Sequence, residues 1–384
     1  MKYLWTMLGV LALVASTLSG SIAAAAQATP ESGTVDAETR ATLAAIVPDA
    51  NDLPVGYDFV GETFLTAEDL KGDDAAALSD AGFVTMYVSV YANTREHTRI
   101  RSYASAWTNA DAASAGNDLL NATDEGLTTG SSEIGDEPRE TASGTYKSGS
   151  TTMSVEAVSF RHDAMLLGTA VETDDGSEPD ADLAKDIAGV MLDRADTLAD
   201  GQSPKNIDLS LPGRTLSFQG EGQMLQAGFL GPKDVEGIYD TQGSVLSKLE
   251  SSWVETVAVG EGSDTATITV GLTTFGKADD ASNAVKQSAD IFPPLTDQKS
   301  VNDASVDGAD SVAAYTYSSS SDERDAMNSY RVIFSVDTDL VVIDVQGAPS
   351  SDAAKTVATD LAKAQLGCAT GGACEVPDLS ALTK

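Results

Sequence analysis

The chain reads as an α+β protein: two tandem copies of a helix-covered, mainly antiparallel β-sheet domain. The first observation is a repeat. FRHDAMLLGTAV, Phe160 to Val171, recurs as FSVDTDLVVIDV, Phe334 to Val345, with Phe, Asp, Leu and Val in register and Leu167 answering Val341. AKDIAGVM from Ala184 is echoed by AKTVATDL from Ala354. The second observation is short alternating runs that face each other across turns, which signals hairpins rather than parallel βαβ units. The third is that each set of strands ends in an amphipathic helix, and antiparallel sheets covered by helices belong to the α+β class.

The expected elements follow in chain order. Residues 1–26 carry one charge, Lys2, before a long apolar run that ends in SIAAAAQA, the pattern of an export signal cleaved near Ala26. Left uncleaved, a run of about 20 apolar residues could anchor in a bilayer. The alanine-rich tail and the polar QATPESGT after it favour cleavage. The first repeat domain is placed at 27–203. It opens with a helix from about Asp36 to Ile46, then Leu53-Pro54 and Gly56-Tyr57 as a turn. A helical stretch from about Thr66 to Ala81 leads to Phe83. VTMYVSVY, Val84 to Tyr91, alternates as a strand, NTREHT turns, and RIRSYASAW, Arg99 to Trp107, returns. Asn109 or Asp111 caps a helix that sets Ala112, Ala115 and Leu119 on one face. A polar loop to about Thr141 precedes strands near 142–147, 151–160 and 164–172. The closing helix, Asp182 to Leu198, has Ala184, Ile187, Ala188, Met191 and Ala195 as its apolar stripe.

ADGQSPKNI, about 199–207, reads as a linker, and the second domain is placed at 206–384. Leu211-Pro212 answers Leu53-Pro54, Lys233 to Leu249 supplies a helix, and Trp253 stands for Phe83. In DTATITVGL, Ala266, Ile268, Val270 and Leu272 point inward. Ala278-Asp279 matches Ala110-Asp111, strands fall near 313–318, 328–336 and 339–346, and Asp352 to Leu366 closes the unit. Two such copies are expected to pack with approximate two-fold symmetry around a groove.

LPVGY at 53–57, WTNADAASAGNDLL at 107–120 and YRVIFSVDTDLVVIDVQGAPSSDAAKTVATDLAKA at 330–364 resemble the extracytoplasmic sensor domains of actinobacterial serine/threonine kinases and related secreted lipoproteins. The resemblance covers each copy in turn. It implies a non-catalytic, helix-covered sheet with a cleft for a ligand, and it carries over no binding residues. The family's cysteine pairs are missing here, as are a kinase and a membrane segment.

Composition narrows function. The net charge is −36, and loss of residues 1–26 with Lys2 takes it to −37. A chain this acidic repels polyanions, so nucleic acid and anionic membrane surfaces are excluded as partners. A membrane association is expected only if the N-terminal segment stays in place. The acidity has three open readings: a solvated coat, adaptation to high salt, and calcium-rich surroundings. The two cysteines, Cys368 and Cys374 in CATGGAC, are expected to form a local disulfide in an oxidising compartment, contributing about 2 kcal/mol through chain entropy.

The search for chemistry finds little. His97 and His162 both read as exposed turn residues, and no GxSxG elbow, HExxH, Walker A or GxGxxG motif occurs. Trp107 and Trp253 read as core. Asp303, Ser305 and Asp307-Gly308 approach a calcium loop, with Asp310 nearby, but Ala314 stands where the bidentate Glu belongs. No catalytic, metal or cofactor residue is assigned and no cofactor is expected. The expected function is an exported, non-enzymatic protein that binds a ligand or partner outside the cell. The alternatives are an acid-pair hydrolase of glycans and a structural cell-surface component.

Overall fold

The computed structural model describes residues 35–71, 75–121, 127–132, 139–148, 151–239, 245–260, 265–291, 298–319 and 327–383. The export segment expected at 1–26 and the cleavage expected near Ala26 fall outside these residues. The chain divides between Pro204 and Lys205 into two compact units. Among the described residues no helix is long and apolar enough to cross a membrane.

The first unit runs α1 (Ala37–Ile46), β1 (Asp58–Leu65), α2 (Ala67–Lys71), α3 (Ala75–Asp80), β2 (Phe83–Asn93), β3 (Thr98–Trp107), α4 (Ala110–Asn121), β4 (Leu127–Ser132), β5 (Arg139–Ser148), β6 (Thr151–His162), β7 (Met165–Thr173) and α5 (Ala181–Ala199). The second contains β8 (Gln223–Leu230), α6 (Pro232–Tyr239), β9 (Leu249–Val259), β10 (Ala266–Phe275), α7 (Ala278–Lys286), α8 (Ser288–Ile291), β11 (Lys299–Ser300), β12 (Ser311–Ser319), β13 (Met327–Val336), β14 (Asp339–Ala348) and α9 (Ser351–Ala369). The sheets are ordered β1-β2-β3-β7-β6-β5-β4 and β8-β9-β10-β14-β13-β12-β11. These are the same order strand for strand, with every neighbouring pair antiparallel. The α+β class is therefore what the fold shows.

Local chemistry sets the boundaries. Asp36 caps α1 by accepting from the Thr39 backbone N–H at 2.8 Å, and Asp180 accepts from Asp182 and Leu183 to start α5. Asn109, rather than Asp111, caps α4 through the Ala112 N–H at 2.9 Å. The hairpin turns before β7 and β14 place Asp163 and Asp337, matched residues of the two copies, at the same φ of +50°.

Both faces of the first sheet are covered. In β2, Thr85, Tyr87, Ser89 and Tyr91 are as buried as Met86, Val88 and Val90, so the alternation marks two packed faces rather than one wet one. On one face lie α1 and α5; on the other lie α2, α3 and α4. The latter core gathers Leu65, Leu70, Leu78, Met86, Trp107 and Ala113. In the second unit α9 covers the first of these faces and α7 the second.

Several expectations are corrected. The helix expected from Thr66 to Ala81 is two short helices, with 72–74 outside the described residues. The helix expected from Lys233 to Leu249 is α6 followed by a 3-10 turn at Val245–Lys248, and 240–244 lie outside the described residues. The first strands, β1 and β8, carry no expected counterpart. Each has a bulge, between Phe59 and Gly61 and between Met224 and Gln226, and a bulge breaks the period-2 pattern by which strands are recognised. β4 is LTTGSS, polar enough to pass for loop. The stripe on α4 is also displaced: Ala113 is fully buried while Ala115 is exposed, because Gly116 lies under the Trp107 ring. A Cβ there would fall 2.2 Å from Trp107 Cη2.

Candidate functional site

The polar groups inside the sheets define the candidate site, and strand register makes the two copies comparable. On the α5 face, Tyr87 lies opposite Ala104, which pairs with Leu167. In the second unit Trp253 lies opposite Leu272, which pairs with Val341. Trp253 therefore takes the place of Tyr87, not of Phe83. Both donate to a buried carboxylate: the Tyr87 hydroxyl to Glu62, and Trp253 Nε1 to Glu255 at 3.1 Å. The carboxylate has changed strand, since Glu62 sits on β1 opposite Ser89 while Glu255 sits on β9 opposite Ala227. Glu255 also accepts from the Phe218 N–H at 3.1 Å. Arg40 of α1 stands over the Phe64 ring at 5.0 Å. A buried acid with donors supplied by its own neighbours serves packing.

The opposite face, under α4 and α7, differs more. In the second unit one row across four strands reads Tyr315, Arg331, Asp344, Thr269; beside it Tyr317 pairs with Ser329 and Gln346 with Thr267, the two pairs being separated by a bulge between Asn328 and Tyr330. Asp344 Oδ2 accepts from Arg331 Nη2 at 2.6 Å and from Gln346 Nε2 at 3.1 Å, and Oδ1 accepts from the Tyr317 hydroxyl at 2.6 Å. Arg331 stands over the Tyr317 ring at 5.5 Å. Tyr315 hydrogen-bonds Ser288 of α8 at 2.7 Å. Burial, then the charge of Asp344, holds the Tyr317 hydroxyl well above the usual phenol range. The row is closed, and its acid and base belong to the chain.

In the first unit the matching row is Ala142, Ala157, Ala170, Arg101, and the next is Gly144, Val155, Glu172, Arg99. The tyrosine, arginine and aspartate of the closed row are replaced by three alanines, all half-buried. The carboxylate has moved one row, to Glu172, whose side chain is 1% exposed. Arg101 and the Tyr146 hydroxyl both donate to Glu172 Oε1, the latter at 2.7 Å, and Arg101 also donates to the Tyr146 oxygen at 3.2 Å. Arg99 Nε lies 3.2 Å from Glu172 Oε2. The Nη2 of Arg99 meets the Met153 thioether at 3.8 Å, a poor acceptor for a guanidinium. The Arg99 and Arg101 side chains stay 19% and 15% exposed. Burial lowers the pKa of Arg99, and the charges of Tyr146 and Asp174 oppose it. Tyr103 lies over Gly168, where a Cβ would meet its ring at 2.4 Å, and bounds the row on its far side.

The residues expected from sequence fall elsewhere. Cys368 and Cys374 are joined in a disulfide with Cα atoms 4.6 Å apart, linking the end of α9 to the segment that leads to a 3-10 turn at Ser380–Leu382. His97 is an exposed turn residue whose Nδ1 lies 3.0 Å from Asp174 Oδ1. His162 is not exposed: it ends β6, is 7% exposed, and its Nε2 lies 2.9 Å from Asp196 Oδ1 of α5. Its strand-end position puts the ring beneath α5. Trp107 and Trp253 are core residues, packed edge-on against Phe83 and Phe229 at 5.3 and 4.9 Å. Of the calcium-loop candidates, Asp310 accepts from the Asp337 N–H at 2.8 Å and so serves the hairpin turn. Among the described residues no group of three His, Cys, Asp or Glu converges as a metal site. Sequence reading missed the cluster of Arg99, Arg101, Tyr146 and Glu172. Its one linear trace is two arginines at i, i+2 on a strand of an acid-rich chain.

No family model matches the chain, and no curated protein matches it. Among solved structures, the extracellular domain of PknH from Mycobacterium tuberculosis is similar over 41% of this chain and 96% of its own, at 8% identity and a TM-score of 0.28.

Proposed function

We propose that the protein is an exported, non-catalytic binding protein, and that its first unit carries the binding face. The observation behind this reading is the contrast between the two sheets: the row that Tyr315, Arg331 and Asp344 close in the second unit is three half-buried alanines flanked by Arg101 in the first. The buried carboxylates support a non-catalytic role, because Glu62, Glu172, Glu255 and Asp344 already accept from aromatic, guanidinium or backbone donors of the chain. An acid that transfers protons to a substrate has to reach that substrate. Export is supported by the apolar N-terminal run with its small-residue tail and by the disulfide. The test is a hydrolase panel, glycosides included, run on the secreted protein. No turnover is expected; turnover abolished by a single Asp or Glu substitution contradicts the reading.

A further inference from the structure

We propose that the alanine row of the first sheet receives a small organic oxyanion, a carboxylate or phosphate, whose charge takes the place that Asp344 fills in the second sheet. The inference rests on the binding reading above.

Charge is the first ground. The second unit matches one guanidinium, Arg331, to one carboxylate, Asp344. The first unit brings two guanidiniums, Arg99 and Arg101, to one shared carboxylate, that of Glu172. Arg101, with Tyr146, already serves Glu172 Oε1. Arg99 is left with one oxygen contact and a methionine sulfur, and Asp174, the other acid acting on it, is engaged with His97 in an exposed pair. A largely desolvated cation with incomplete pairing is costly, and a planar guanidinium is well shaped to accept a carboxylate or phosphate in two-point contact.

Space is the second ground, and it is independent of the first. Ala170 occupies the register position of Asp344, and Ala157 that of Arg331. Arg101 is the direct cross-strand neighbour of Ala170. Small side chains stand where the second unit has a carboxylate and a guanidinium on adjacent strands, and Ala157 and Ala170 stay half-buried rather than covered over. An anionic group resting on Ala170 restores the arrangement of the second unit, with Arg101 and Arg99 as donors and the alanines under the organic body. The second sheet is in this sense self-liganded and the first is not.

The full-length protein is to be titrated separately with acetate and with inorganic phosphate, at ionic strength held constant with chloride, following heat of binding and melting temperature. One saturable site for at least one anion is expected, and the arm that saturates names the head group. Arg99→Gln should weaken binding roughly tenfold or more, about 1.4 kcal/mol. Ala170→Asp, which supplies the carboxylate from within, should abolish binding without lowering the melting temperature. Lys185→Gln makes the same charge change at an exposed site on α5 and should bind as the parent does. No saturable site for either anion overturns the proposal. So does undiminished binding in Arg99→Gln or Ala170→Asp, or an equal loss in Lys185→Gln. Turnover in the hydrolase panel with the anion site intact contradicts the non-catalytic reading alone, whereas loss of the site without turnover contradicts this inference alone.

Discussion

At the scale of single residues, two side chains test how local chemistry fixes the fold. Asp36 caps α1, and the Thr39 backbone hydrogen bond is the largest of the causes that hold its carboxyl below the usual range. Asp36→Ala should cost about 1 kcal/mol, the usual worth of such a cap. Because the folded-state pKa is depressed, the cap contributes fully above the ordinary carboxylate pKa and is lost as pH falls through the lowered value. Parent and variant should therefore converge in denaturant midpoint on acidification. Gly116 is the second test. Trp107 leaves no room for a Cβ, so Gly116→Ala should destabilise by about 1–3 kcal/mol through overpacking, although alanine is the better helix former. An unchanged or higher denaturation midpoint would refute that packing.

Elements were legible where a single periodicity held from end to end. β10 and β14 put Ile268, Val270, Val341 and Ile343 fully inside, and their alternation or apolar run is plain in the sequence. The helices α1, α5 and α9 have side-chain caps and apolar stripes, whereas α7 has the stripe but no side-chain cap at Lys277. What stayed hidden was set by pairing rather than by local pattern. The bulges of β1 and β8 interrupt alternation, and β4 has too few apolar residues to register. The candidate cluster is hidden for the same reason: Arg99, Tyr146 and Glu172 lie on β3, β5 and β7, and only strand register brings them together. The closed row of the second unit gives the prediction at this scale. Asp344→Ala alone should cost about 3–5 kcal/mol, since it leaves Arg331 buried without its acid. Replacing both, as Arg331→Met with Asp344→Leu, should recover most of the loss. A double-mutant cycle by chemical denaturation measures this, and additive single losses would contradict the pairing.

For the whole molecule, the central claim is that two units of one topology each bury their own apolar stripes and hold their own polar rows. The strand order, the paired positive-φ turn residues and the matched aromatic donors all follow from one plan used twice, while the alanine row marks where the copies differ in side-chain chemistry. The sequence repeat revealed the plan, but not the divergence, which is a matter of three positions in register. The most direct test is to express residues 27–203 and 206–384 separately and to melt each by calorimetry. Each half should unfold in one cooperative transition, with a calorimetric enthalpy equal to its van't Hoff enthalpy. Soluble halves that show no cooperative transition would contradict the account.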